Sequence, residues 1–277
     1  MKEDNRPPAI LCPNCGKLVN RNAHECMHCG YKNPGKLKAG SLIQMLFQRD
    51  VGFIEIATLF CVALYIFSIL LEPSSVLRSS GILNFLPPSG HVLDKLGMTG
   101  SFAMAKGRWW TLITAIYLHG GLLHILFNVL WIRQLGPTVE ELFGTSRLIL
   151  IFTLSGVLGF IVSNFIGVPF TIGASGSIFG LLGALIYYGR DRGGIFGEAI
   201  FRQLMVWAIV LFVFGFMMSG VNNFAHGGGF VGGYLSAMLL KYNEKKMETP
   251  SHKTAAATMV IITIISFLLA FWHGFID

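Results

Sequence analysis

Apolar runs long enough to cross a bilayer alternate along this chain with short polar joints, a pattern of membrane helices rather than of strands or half-buried surface helices. The first run is Phe53–Leu71. Glu72–Arg108, which follows it, carries Ser-Ser, Pro-Pro and several glycines and reads as too irregular to span. Further spans are predicted at Gly121–Leu135, with an apolar lead-in from Trp109, and then at Leu148–Val168, Ala174–Gly189, Ala199–Met218 and Asn222–Leu240. A polar joint, Lys241–Lys253, leads to a seventh at Thr254–Ile276. The second and fourth spans are short. At about 1.5 Å per residue they reach roughly 24 Å, less than a hydrocarbon core of roughly 30 Å, so they are expected to stop short and leave room for a water-filled cavity.

The pattern divides the chain into a polar head (1–35), a basic linker (36–50), a six-helix membrane core (51–242) and the seventh helix (254–277). The fold class is an all-α polytopic membrane protein. No short apolar core follows a basic start, so the first span is expected to stay in the mature protein. Composition agrees: the chain is 53% hydrophobic and 13% charged, with mean hydropathy +0.62. The net charge of +7 is spread over many loops, which speaks for topology and against nucleic acid as a partner. With the N-terminus inside, 17 of the 21 Lys and Arg fall on the inner side, so the N-terminus is expected in the cytosol and the C-terminus outside.

Polar side chains are costly inside a membrane, and here they gather in three clusters. HGGLLHILFN holds His119, His124 and Asn128; the last two, four apart, share a helix face. GASGSIFG places Ser175 and Ser177 at the start of the fourth span, and NNFAHGGGFVGG places His226 near the start of the sixth. The plain reading is interhelical hydrogen bonding for the histidines and helix capping for the serines. Spacing argues for more. Gly176 and Gly180, and Gly229 and Gly233, give two small-residue stripes that let their helices pack backbone to backbone. Ser175 and His226 then lie at similar depth, and an imidazole in reach of a hydroxyl makes it a nucleophile. His124, Asn128 and the Ser175 backbone N–H are candidates to stabilise the oxyanion. No carboxylate is placed to orient His226, so a dyad is expected, with Phe179, one turn after Ser175, packing on the ring.

At these residues the chain resembles the rhomboid family of intramembrane serine proteases. GASG around Ser175, His226 followed by Gly229 and Gly233, and His119, His124 and Asn128 carry the resemblance, over roughly Gly52–Leu240. It implies a Ser175–His226 dyad, an oxyanion hole from His124 and Asn128, no cofactor for catalysis, and transmembrane proteins as substrates. The chain departs from the family in two places. Phe179 stands where tyrosine is frequent, and Arg108-Trp109-Trp110 replaces the usual Trp-Arg order; Trp109 and Trp110 read as interfacial anchors. The seventh span fits the family's six-plus-one arrangement. Three other readings compete: a non-catalytic rhomboid-like binder of transmembrane helices, a metalloenzyme using His119, His124 and His226, and a channel. Both dyad residues are present, no HExxH includes His119, His124 or His226, and the polar residues cluster at one level, which speaks against the three in turn.

The head adds a second chemistry. Cys12, Cys15, Cys26 and Cys29 form CxxC-x10-CxxC, each pair followed by Gly, a spacing suited to a structural Zn²⁺ in a small zinc ribbon. On the cytosolic side the thiols stay reduced, and so short a segment needs a metal to fold. His24 and His28 read as spectators, Cys61 as a buried apolar residue. A cytosolic partner or regulatory role for the module is left open. The compact loops point to a bacterial inner membrane.

Overall fold

A computed structural model describes residues 9–12, 17–20, 22–28, 30, 32–35, 52–78, 85–218 and 220–276. The chain forms two compact units, divided after Gly52.

In the first unit, β1 (Ala9–Leu11) and β2 (Leu18–Asn20) pair antiparallel, with Ile10 opposite Val19. Next to the pair, the Cys12 N–H donates to the Lys17 carbonyl at 2.8 Å. A turn closes where the Gly30 N–H donates to the Cys26 carbonyl at 2.9 Å, beside a Glu25–Lys32 bridge. Cys12, Val19 and Cys26 are buried together, packed by Ala23. Cys15 and Cys29 lie outside the described residues.

The second unit is helical: α1 (Phe53–Leu71), α2 (Gly90–Lys95), α3 (Ser101–Ala105), α4 (Thr111–Thr114) running into a 3-10 turn (Ala115–Tyr117), α5 (Leu122–Phe143), α6 (Thr145–Phe165), α7 (Ser175–Arg192), α8 (Gly194–Met217), α9 (Asn223–Leu240) and α10 (Pro250–Phe275). α7 is the axis. Every residue from Gly176 to Gly189 is buried, against α9, α6, α8 and α5. The glycine stripes explain how α9 comes so close. Gly229 faces the backbone of Gly176, and Gly233 that of Gly180, so closely that a Cβ on either would meet backbone atoms. Cys61 is fully buried on α1.

Among the described residues four helices, α1, α6, α8 and α10, are long and apolar enough to cross a membrane, and the Thr111–Tyr117 segment with α5, bent by 92°, makes a fifth candidate. α7 and α9 are less apolar for physical reasons: α7 is enclosed by protein and ends in Arg190-Asp191-Arg192, while α9, exposed along one side, carries His226 and glycines on the face it packs.

Two expectations change. The second span does not stop at Leu135. α5 runs to Phe143, 22 residues or about 33 Å, with Gly136 and Pro137 inside it. Gly136 survives there because the side chain of Ile54 from α1 fills the space a Cβ would take. The fourth span likewise reaches Arg192. Short helices therefore do not make the recess; the sharp break before α5 is what brings polar residues to one level. Trp110, expected at an interface, is instead buried and stacked on His273 of α10, while Trp109 is half exposed.

The irregular stretch before α4 is laced to the loop before α7. Thr99 and Thr171 exchange backbone hydrogen bonds, at 2.8 and 3.3 Å, and Arg108 pairs with Asp94. At the other end of the bundle, fully buried Arg147 at the start of α6 donates to the carbonyls of Lys241 and Lys246 at 2.7 and 2.9 Å and to Asn243 Oδ1 at 2.6 Å. Glu248 accepts from the Arg147 backbone N–H at 3.1 Å and from Ser146 at 3.2 Å.

Candidate active site

Ser175 is the first residue of α7. The residue before it, Ala174, has helical backbone angles, and that end of the helix has no side-chain cap. The Ser175 hydroxyl is not spent on its own helix. It lies 2.8 Å from Nε2 of His226, one turn into α9. Ser177, the second candidate cap, is fully buried and its hydroxyl has no hydrogen-bond partner among the described residues.

Besides the Ser175 hydroxyl, two contacts fix the imidazole of His226. Phe179 stacks on it, ring centres 4.4 Å apart and planes within 15°. Asn223, three residues earlier on α9, places Oδ1 3.2 Å from Nδ1. An amide oxygen only accepts, so Nδ1 carries the proton and Nε2 presents its lone pair to the serine hydroxyl. The α9 helix itself is held by Asn222. Its Oδ1 caps the Ala225 N–H at 3.1 Å, and its Nδ2 donates to Ser163 on α6 at 2.6 Å and to Thr171, four residues before Ser175, at 3.0 Å.

The opposite wall comes from the break before α5. The Gly120 N–H donates to Nδ1 of His124 at 3.3 Å, which puts the His124 proton on Nε2. That atom faces Gly173, where a Cβ would stand 2.6 Å away; Gly173 also has φ of +116°, which disfavours any side chain. The Gly173 N–H donates to the Ala115 carbonyl at 2.8 Å, fixing the strand that delivers Ser175. Asn128 is buried and gives one amide N–H to the His124 carbonyl at 2.7 Å, while its Oδ1 has no partner among the described residues. His119 is buried beside His124, ring centres 5.0 Å apart, with Nδ1 against the Tyr117 carbonyl at 3.2 Å.

The structure thus brings together Ser175 with His226, and His124 with the Gly173 strand. Two residues escaped sequence reading. Asn223 carried a usable signal, its i,i+3 spacing to His226. Asn222 carried none, because its partners lie 51 and 59 residues away. Among the described residues no three His, Cys, Asp or Glu side chains are grouped to hold a metal ion.

A Rhomboid domain pattern matches residues 106–243, the stretch that contains every one of these side chains. The rhomboid protease GluP of Bacillus subtilis is 36% identical over 183 residues, 66% of this chain and 36% of GluP. YdcA, a second rhomboid-named protein of that bacterium, is 34% identical over 158 residues, which cover 79% of YdcA. The chain belongs to the rhomboid family. RHOMBOID-like protein 7 of Arabidopsis thaliana is 30% identical over 212 residues, 69% of this chain and 66% of that protein. The match spans only about a third of the length of GluP. Family and apolar helices together make this rhomboid an integral, multi-pass membrane protein.

Proposed function

We propose that this rhomboid is an intramembrane serine endopeptidase that cuts transmembrane segments of other proteins with a Ser175–His226 dyad. One observation carries the reading: a serine hydroxyl 2.8 Å from an imidazole nitrogen whose tautomer is set by Asn223. Ser175 Oγ attacks the scissile carbonyl carbon as Nε2 of His226 takes its proton. The oxyanion receives Nε2–H of His124, the backbone N–H of Ser175, which as a first-turn helix donor has no partner within the helix, and the remaining amide proton of Asn128. Collapse expels the amine, which takes the proton from His226, and water then hydrolyses the acyl-enzyme by the same steps in reverse roles. Phe179 stacks on the ring face, and Asn223 Oδ1 takes the place at Nδ1 that a carboxylate takes in a soluble protease.

In this reading α1 and α5–α9 form the six-helix core and α10 the added seventh span, the N-terminus lies in the cytosol, and the site opens to the opposite side of a bacterial inner membrane. The head binds one structural Zn²⁺ through Cys12, Cys15, Cys26 and Cys29. The shared burial of Cys12 and Cys26 fits half of that donor set.

The test is labelling by a fluorophosphonate probe in detergent, together with cleavage of a reporter transmembrane substrate. Wild-type protein should label and cut, and Ser175→Ala and His226→Ala should do neither. Cleavage retained by purified Ser175→Ala protein would sink the dyad.

A further inference from the structure

α10 has the surface of a lipid-facing span over most of its length; among its described residues only Ala256, Ser266 and Ala270 are buried. Towards its start an open, shallow groove runs between Leu150 of α6 and the Ser251, Thr258 and Ile262 side of α10. Its last turns are different. Gly274 lies on the backbone of Lys95, so close that a Cβ would come within 2.9 Å of the Lys95 Cα. Ala270 fills the space beside Gly97, whose φ is +98°. His273, a polar residue in an apolar helix, stacks on buried Trp110 with ring centres 4.7 Å apart and planes within 13°. Phe267 sits 5.9 Å from Tyr117. A helix that served only as an anchor would need neither a glycine against a foreign backbone nor an imidazole on a tryptophan.

These contacts converge on one short piece of chain. Trp110 leads into Thr111–Tyr117, and the Thr114 hydroxyl ties that piece to the Gly97 carbonyl at 2.7 Å. On its other side, the Ala115 carbonyl accepts the Gly173 N–H at 2.8 Å, two residues before Ser175. Beyond Tyr117 the chain reaches His119 and His124. Thr111–Tyr117 is therefore a layer between the end of α10 and the strand that carries the serine.

We propose that α10 is a positioning element of the site: its end, Ala270–Phe275, presses Thr111–Tyr117 against Thr171–Ala174 and so sets the geometry at Gly173 and His124. The proposal rests on the serine-protease reading for its effect on rate, but its structural half stands apart from it.

The experiment uses the full chain in detergent, as wild type, His273→Ala, His273→Phe and Gly274→Leu. Three quantities are read: the rate of fluorophosphonate labelling at Ser175, amide hydrogen exchange across 111–118 and 171–174, and the melting temperature. His273→Ala should slow labelling tenfold or more and raise exchange in both segments, the Gly173 amide included, with melting shifted by a few degrees at most. His273→Phe, which keeps a flat ring over Trp110, should restore both. Gly274→Leu should act more strongly; if it does not fold, the two His273 variants decide. Unchanged exchange in His273→Ala would overturn the proposal, and so would raised exchange with labelling within twofold of wild type. If wild-type protein neither labels nor cuts, the protease reading falls, and the exchange measurements still decide whether α10 holds this layer.

Discussion

Asn223 and His226 face each other across one turn of α9, Oδ1 3.2 Å from Nδ1, and this places an uncharged acceptor behind the base of the dyad. A carboxylate there would be partly desolvated, at a cost that a neutral amide avoids. Gly215 on α8 leaves the room the amide occupies, since a Cβ there would collide with Asn223.

Losing that acceptor frees the imidazole to rotate and to take the wrong tautomer. Asn223→Ala is expected to lower turnover roughly ten- to a hundredfold, the worth of about 1–3 kcal/mol for one buried hydrogen bond. The melting temperature should move little. Steady-state cleavage beside a thermal melt checks it, and full activity in the variant would remove Asn223 from the mechanism.

Gly173 answers to two constraints at once, a positive φ and the nearness of His124 Nε2. Gly173→Ala should cost about 1–2 kcal/mol in backbone strain and push the His124 donor away from the nucleophile. A fall of about 10² to 10³ in turnover is expected, the usual effect of losing one oxyanion donor. Binding of a non-cleavable substrate should be kept. Equal losses in binding and turnover would point to general collapse instead.

The seam between α7 and α9 tolerates no side chain where Gly233 meets Gly180. Gly233→Ala is expected to destabilise the core by about 1–3 kcal/mol through overpacking, and Gly233→Leu to prevent recovery of folded protein. The control is Gly220→Ala: a Cβ at Gly220 meets nothing within 4 Å, though its φ of +86° adds local strain. If Gly233→Leu melted like wild type, the two helices would not be held backbone to backbone.

Zinc in the head should be separable from chemistry in the membrane. A strong chelator, or Cys12→Ser, is expected to release one Zn²⁺ per chain and to expose residues 9–35 to protease, while Ser175 labels at an unchanged rate. Metal content and limited proteolysis read the first effect, the fluorophosphonate probe the second. A chain purified without zinc, with its head still resistant to protease, would end the zinc-ribbon reading.

Long spans were legible in the sequence because a lipid-facing helix must be apolar throughout; α1 begins and ends at the predicted Phe53 and Leu71. The meeting of α7 and α9 was legible because backbone contact between helices demands glycine at four-residue intervals. What failed was local. The second span was expected to end at Leu135, yet α5 runs on through Gly136 and Pro137 to Phe143. Trp110 looked like an interfacial anchor because its partner, His273, lies 163 positions away and no pattern near Trp110 announces it. The hydrogen bonds of Asn222 escaped for the same reason. Short-range periodicity reports which face of a helix is buried, and not which distant residue will cover it.

Arg147 bears on the order in which the molecule is assembled. Its guanidinium begins α6, but the carbonyls and the Asn243 amide that receive it lie about a hundred residues later in the chain. During synthesis it must wait, charged and solvated, until the sixth helix has been inserted. Only then can Lys241–Glu248 fold over it. The buried cation thus acts as a latch that fastens last, and a chain released before Glu248 would hold its helices with that end of the bundle still undone.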